Sequence, residues 1–145
     1  MKVGDKIPNI TFKTRVDNDW KEVSTRDIFT NKRIVIFSLP GAFTPTCSTK
    51  QLPGYEDNYE EILNREIDEI YCVSVNDSFV MNAWAENLGI KKVQMLPDGN
   101  GELTKRMGMD TTFNNRGFGM RSWRYSAVIN DMIVENVFIE PNRVL

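Results

Sequence analysis

Residues 33–39 (RIVIFSL) constrain the fold more than any other part of this 145-residue chain. The run is β-branched and almost continuously apolar, which is typical of a central strand buried on both faces. Such a strand lies in a sheet covered by helices on its two sides. The run therefore predicts an α/β fold with this strand in the middle of the sheet.

A hairpin precedes this run, and helices and strands alternate after it. Residues 10–15 and 20–24 flank the turn signal Asp17-Asn18-Asp19, which predicts a small hairpin near the N-terminus. The later elements are predicted as a helix over 47–66 interrupted at Pro53-Gly54, a buried strand over 70–75, a helix from Asp77 to Gly89, a strand over 93–96, a short helix over 102–107, an exposed loop over 110–120 and a hairpin of 125–129 with 133–139. The apolar stripe expected on the second long helix consists of Phe79, Val80, Ala83, Trp84 and Leu88.

This order of elements predicts a three-layer α/β sandwich with a mixed central sheet, and the thioredoxin-like arrangement is one of the few layouts that fit it. No repeat or linker divides the chain, so residues 1–145 are predicted to form a single domain. Thioredoxin-like domains normally close with a helix after the final hairpin, yet only residues 141–145 remain for it. We therefore expect a truncated or processed chain, or a sheet face that a partner covers.

The composition excludes several classes of chemistry. The chain contains no histidine, which excludes a Ser-His-Asp triad, a Cys-His pair and a His-ligated metal. Its two cysteines, Cys47 and Cys72, are too few for an all-cysteine zinc site and too far apart for a C-x-x-C motif. A net charge of −2 without a basic stripe argues against nucleic acid as a partner. No apolar run approaches the ~20 residues of a membrane helix, and with no export signal we expect a cytoplasmic protein.

Cys47 is the strongest candidate for a reactive residue. It follows the Pro/Gly-rich loop after the central strand and falls on the first turn of the next helix, at the edge of the sheet where α/β proteins collect their sites. Free backbone N–H groups and the helix dipole favour a thiolate there, and a nearby arginine would favour it further. A lone cysteine is more often a small buried residue. Here Pro40 and Pro45 stiffen the loop and shield the sulfur, and Thr44 is placed to offer its hydroxyl to whatever bonds that sulfur.

The pattern Pro40-x-x-x-Thr44-x-x-Cys47 matches the active-site signature of the peroxiredoxins. In full, residues 40–48 (PGAFTPTCS) resemble the type II, or peroxiredoxin-5, subfamily. The resemblance continues over residues 73–81, 96–101 and 121–126, and it covers most of residues 1–140. Close relatives in this subfamily also occur as bacterial hybrids with a glutaredoxin domain fused after the peroxiredoxin domain.

The resemblance implies a thiol-dependent peroxidase that reduces hydrogen peroxide and organic hydroperoxides without metal, haem, flavin or any other cofactor. Cys47 is then the nucleophile that becomes a sulfenic acid, Thr44 hydrogen-bonds the peroxide, and Pro40 limits solvent access. The family also uses an arginine just before a late strand. Arg124 precedes Tyr125 in that way, whereas Arg121 is expected to be a solvated or ion-paired surface residue.

The reducing electrons are expected to come from an external thiol. Cys72 is predicted to be a buried core residue of its strand, because a small side chain is expected there. The resemblance then implies glutathione with glutaredoxin, or thioredoxin, as the reductant, with the hybrid relatives favouring the first, and a homodimer as the assembly. Four aromatic residues are candidates for the site entrance or the subunit contact: Phe43, Phe79, Trp84 and Phe118.

Two other readings stay open at the level of the sequence. One is a peroxide sensor or redox-dependent binding protein that uses oxidation of Cys47 as its signal. The other is a dithiol oxidoreductase, which the missing C-x-x-C motif weakens.

Overall fold

A computed structural model describes residues 1–44 and 46–140 of the chain, apart from the side chains of residues 46–48. The strands are β1 (Thr11–Val16), β2 (Asp19–Ser24), β3 (Arg33–Ser38), β4 (Glu69–Ser74), β5 (Gln94–Pro97), β6 (Asp110–Thr112), β7 (Met120–Ser122), β8 (Tyr125–Asn130) and β9 (Ile133–Ile139). The helices are α1 (Thr25–Phe29), α2 (Thr46–Asp57), α3 (Tyr59–Leu63), α4 (Ser78–Asn87) and α5 (Glu102–Arg106), and a 3₁₀ turn covers Asn114–Arg116.

The central sheet has five strands in the order β5-β4-β3-β8-β9. Strands β5, β4 and β3 are parallel, β8 runs antiparallel to β3, and β9 runs antiparallel to β8. The apolar run that begins at Arg33 therefore forms the middle strand, as its sequence predicts. The predicted mixed central sheet is confirmed.

Two apolar clusters lie on opposite faces of this sheet, because successive side chains of a strand point to opposite sides. On one face, Ile34 and Ile36 of β3 belong to a cluster that includes Phe12 of the hairpin, Phe29 of α1 and Leu103 of α5. On the other face, the cluster joins β3 and β4 to the helices α2 and α4 through Phe37, Cys72, Leu52 and Trp84. The three layers are those of the predicted thioredoxin-like sandwich.

The N-terminal hairpin is also confirmed. Strands β1 and β2 pair in antiparallel register from Thr11↔Ser24 to Val16↔Asp19. The two turn residues, Asp17 and Asn18, have φ values of 50° and 67°. Two successive residues with positive φ match the twist of a two-residue hairpin, and Asp and Asn tolerate this conformation better than most residues.

The helix predicted over 47–66 is interrupted later than expected. Pro53 lies inside α2, and helical geometry ends only at Asn58, between α2 and α3. The backbone N–H and the side-chain Nδ2 of Asn58 both donate to the carbonyl of Gly54, at 3.2 and 2.8 Å. A proline removes one helical hydrogen bond, whereas this asparagine satisfies the carbonyl at the helix end.

Two further predictions need correction. In α4 the buried residues are Ser78, Met81 and Trp84, while Phe79 is 56% exposed, so the predicted stripe is rotated. The rotation is set by the hairpin, since the Ser78 hydroxyl accepts the Arg15 N–H at 2.8 Å. The segment predicted as a loop over 110–120 contains β6, which pairs with β7.

The expectation about a closing helix falls on residues 141–145, which lie outside the described residues. Over the part of the chain that the structure describes, no helix is both long and apolar enough to cross a membrane. The extent of the domain, 1–145, stays a prediction.

Candidate active site

The antiparallel pairing of β3 with β8 brings the candidate residues to one edge of the sheet. Ser38, the last residue of β3, lies opposite Tyr125, the first residue of β8. The loop that follows β3 and the residue that precedes β8 therefore meet, although they are far apart in sequence. Thr44 belongs to the first of these segments and Arg124 is the second.

Cys47 lies where the sequence predicts it, in the first turn of a helix. Helix α2 begins at Thr46, so the backbone of Cys47 is the second helical residue. The free N–H groups and the positive end of the helix dipole are concentrated in this turn. The side chain of Cys47, and all of Pro45, fall outside the described residues.

The loop before α2 has an unusual backbone conformation. Phe43 has φ = 62°, in the left-handed region, which costs a non-glycine residue roughly 1–3 kcal/mol. The hydroxyl of Thr44 donates to the carbonyl of Gly41 at 2.6 Å, and Thr44 is 8% exposed. Because a hydroxyl has one proton, this bond leaves the lone pairs of Thr44 Oγ1 as the acceptor sites of that side chain.

Two side chains from other elements hold this loop in place. Asn76 follows β4, and its Oδ1 accepts the Ala42 N–H at 2.9 Å and the Ser74 hydroxyl at 2.6 Å. From the opposite side, Nη1 of Arg121 donates to the carbonyl of the buried Pro40 at 3.0 Å. These hydrogen bonds stabilise the strained backbone around Phe43.

The contact with Pro40 corrects the expectation for Arg121. It is half-buried rather than solvated, and its Nε donates to the Phe118 carbonyl at 3.3 Å. Burial lowers the pKa of its guanidinium from the usual value. A Cβ on Gly41 would overlap with Arg121 Nη1. The absence of a side chain at Gly41 therefore allows the arginine to approach the loop this closely. Neither Asn76 nor Arg121 was identified as a loop contact from the sequence, although both stand in segments that carry the resemblance.

Arg124, the second arginine near the loop, is also partly buried. Its side chain is 10% exposed, and its Nη1 donates to Oε1 of Gln51 at 2.8 Å. Gln51 lies four residues after Cys47 on α2, one helical turn further along the same face. Nε of Arg124 forms an ion pair with Oε2 of Glu140 at 3.0 Å. Its Nη2 is buried and has no hydrogen-bond partner among the described residues.

A buried, permanently charged donor of this kind costs free energy unless something pairs with it. A guanidinium binds anionic groups and oxygen atoms through such a donor. Arg124 therefore carries a buried donor, Nη2, that can still accept a hydrogen-bonding partner.

Cys72 lies in the core, as predicted. It is 0% exposed in β4, and it packs in the same cluster as Leu52 of α2 and Trp84 of α4. Burial in this apolar cluster raises the pKa of the Cys72 thiol far above its usual value. The side chain therefore stays a thiol at neutral pH and is a poor nucleophile.

Among residues 1–44 and 46–140, no group of three or more His, Cys, Asp or Glu side chains is arranged to hold a metal ion. The chemistry available at this edge of the sheet is that of a cysteine at a helix start, a hydroxyl acceptor and a buried guanidinium. A thioredoxin-like fold with these groups defines the class of proteins that carry out thiol redox chemistry.

Comparison with known proteins narrows this class. The sequence profile described as Redoxin matches residues 2–144. Peroxiredoxin y4vD from Sinorhizobium fredii is 52% identical over 97% of this chain and 79% of its own length. The hybrid peroxiredoxin hyPrx5 from Haemophilus influenzae is 49% identical over 96% of this chain, which spans 58% of that protein. The crystal structure of the Plasmodium falciparum antioxidant protein, a 1-Cys peroxiredoxin, has a TM-score of 0.92 and 40% identity over 99% of this chain and 86% of its own.

The chain therefore belongs to the redoxin family and is a peroxiredoxin, a thiol-dependent peroxidase with an antioxidant function.

Proposed function

We propose that Cys47 is the peroxidatic nucleophile and that Arg124 and Thr44 bind the peroxide around it. The thiolate attacks one peroxide oxygen, so that an S–O bond forms and the O–O bond breaks. The distal oxygen leaves with the electron pair of that bond, takes up a proton and departs as water or an alcohol. The observation that carries this proposal is the buried Nη2 of Arg124, without a partner among the described residues, on a side chain fixed one turn from Cys47.

Arg124 and Thr44 supply complementary hydrogen bonds in this proposal. The guanidinium donates to the sulfur and to the oxygen on which negative charge develops, where a charged donor in a water-poor site has its largest effect. The Thr44 hydroxyl donates its hydrogen bond to the Gly41 carbonyl, so its oxygen is free to accept a hydrogen bond from the peroxide. Pro40 is buried beside them and limits the access of water.

The sulfenic acid on Cys47 is reduced by a thiol from outside the chain, with no bound cofactor. A first thiol forms a mixed disulfide with Cys47 and releases water, and a second thiol displaces Cys47 as the free thiol. Cys72 is unsuited to the first of these steps because it is enclosed in the core. A 1-Cys peroxiredoxin and a hybrid peroxiredoxin among the relatives favour this scheme, with hydrogen peroxide and organic hydroperoxides as substrates and glutathione with glutaredoxin as the preferred reductant.

A homodimer in the cytoplasm is the proposed setting. Three aromatic side chains of the four considered for a subunit contact or entrance remain accessible or half-buried, since only Trp84 is in the core. Phe43 and Phe79 are 55% and 56% exposed. Large exposed apolar side chains favour association.

The experiment that tests this function is NADPH-coupled consumption of hydrogen peroxide with one reductant system at a time. We expect sustained turnover with glutathione, glutaredoxin and glutathione reductase, and slower turnover with thioredoxin and its reductase. A single oxidation event without continuing NADPH loss in either system would support the peroxide sensor instead. Faster turnover with thioredoxin would contradict the choice of reductant and leave the peroxidase intact.

Replacement of Cys72 by serine should leave turnover with the external thiol nearly unchanged and lower the stability of the fold. The buried hydroxyl would lack the partner that water gives it, at a cost of about 1–3 kcal/mol. Steady-state peroxide consumption and the free energy of unfolding measure the two effects. An intramolecular Cys47–Cys72 disulfide seen by mass spectrometry at the rate of turnover, with activity lost in Cys72→Ser, would mean a two-cysteine enzyme.

A further inference from the structure

The side chain of Arg124 has its nitrogens in three different situations. Nη1 donates a hydrogen bond to Gln51 of α2, Nε forms an ion pair with Oε2 of Glu140 at 3.0 Å that lacks hydrogen-bond geometry, and Nη2 has neither kind of partner among the described residues. Gln51 alone fixes one end of the guanidinium and leaves it free to rotate about that contact. The second contact, the ion pair at Nε, restricts this rotation and with it the position of Nη2.

Glu140 reaches Arg124 because of the pairing of the last two strands. Tyr125 of β8 lies opposite Ile139 of β9, so Arg124 and Glu140 form the next pair in the register. The backbone N–H of Glu140 donates to the carbonyl of Arg124 at 3.1 Å, which extends the ladder by one hydrogen bond. This backbone pairing places the carboxylate of Glu140 beside the guanidinium of Arg124.

We propose that Glu140 is a positioning residue of the active site, which orients the guanidinium of Arg124 so that Nη2 is presented to the reacting sulfur and peroxide. This inference rests on the proposed role of Arg124. Glu140 has two opposing effects in it: its position orients the donor, and its negative charge offsets part of the positive charge that stabilises the Cys47 thiolate.

These two effects separate in two variants. In Glu140→Gln an amide oxygen takes the place of the carboxylate oxygen beside Nε but the charge is gone, whereas Glu140→Ala removes both. A matched control is Glu135→Gln, on the strand β9 that Glu140 follows, because Glu135 forms an ion pair with Arg33 at 2.7 Å on the surface. Arg124→Lys completes the set and tests the proposed role of Arg124 itself.

Two quantities are measured on each full-length variant: the rate constant for oxidation by hydrogen peroxide and the pKa of Cys47 from ultraviolet thiolate absorbance. In Glu140→Ala we expect the rate constant to fall about 10- to 100-fold and the pKa of Cys47 to lie above that in Glu140→Gln, because both variants lose the charge and only the alanine loses the orientation. In Glu140→Gln we expect most of the rate to be retained and the pKa of Cys47 to fall below that of the unmodified chain. Glu135→Gln should change neither, and Cys72 adds no thiolate signal because burial raises its pKa.

The outcomes distinguish a failure of the positioning role of Glu140 from a failure of the proposed role of Arg124. If Arg124→Lys slows oxidation and Glu140→Ala behaves like Glu135→Gln, the positioning role is wrong and the role of Arg124 stands. A slower Glu140→Ala whose Cys47 pKa equals that of Glu140→Gln, or no recovery of the rate in Glu140→Gln, would also overturn it, because a merely structural residue behaves in that way. If Arg124→Lys itself changes neither quantity, the proposed role of Arg124 fails and the inference fails with it.

Discussion

Replacement of Cys47 by serine should lower the rate of peroxide reduction by at least about three orders of magnitude and leave the fold intact. A serine hydroxyl at neutral pH is not ionised, and the chain has no histidine to act as its base. The substitution is nearly isosteric, so α2 should begin where it does now. The measurement is NADPH-coupled consumption of hydrogen peroxide, together with circular dichroism and the free energy of unfolding.

The control for this variant is Cys72→Ser, which makes the same chemical change at a buried position of β4. Only the Cys47 variant should lose activity. Turnover that survives in Cys47→Ser would overturn the assignment of the nucleophile, whereas equal losses in both variants would point to a general defect in folding.

Replacement of Arg124 by lysine should slow the reaction of the thiolate with peroxide by about 100-fold and raise the pKa of Cys47. A lysine keeps the charge but has a single ammonium group in place of the planar fork. It cannot bond Gln51 and Glu140 and still present a donor in the place of Nη2. Stopped-flow oxidation and the pH dependence of thiolate absorbance measure the two effects.

Arg121→Lys is the matched comparison. Arg121 also lies beside the loop, but its Nη1 donates a hydrogen bond to the Pro40 carbonyl. A lysine can make that one hydrogen bond, so the loss should be smaller and the pKa of Cys47 should change little. A pKa that rises in Arg121→Lys and stays constant in Arg124→Lys would show that the other arginine binds the thiolate.

The parts of the fold that the sequence predicts are those with a local cause. The apolar run of β3 requires burial on both faces, and Asp77 caps α4 by accepting the Val80 N–H at 2.9 Å. The turn at Asp17 and Asn18 is specified by residues that tolerate positive φ. The start of α2 near Cys47 follows in the same way from the loop before it.

The parts that the sequence does not predict depend on contacts between distant segments. The face of α4 that is buried is decided by the hairpin, through Ser78 and Arg15, and no periodicity within the helix contains that information. The strands β6 and β7 likewise form by pairing with each other, and the sequence of either strand alone does not show that pairing. Of the candidate site, Pro40, Thr44 and Cys47 follow from the motif, while the contacts made by Asn76, Arg121 and Gln51 follow only from the packing.

The antiparallel insertion of β8 beside β3 has a consequence for the chain while it is being made. Cys47 leaves the ribosome well before Arg124, and the whole of residues 48–123 must be translated in between. Until the last hairpin is synthesised and pairs with β3, Arg124 is not held at the end of that strand. We therefore expect the nascent chain to carry Cys47 as an ordinary, slowly oxidised cysteine, so that activation of the thiol marks the completion of the sheet.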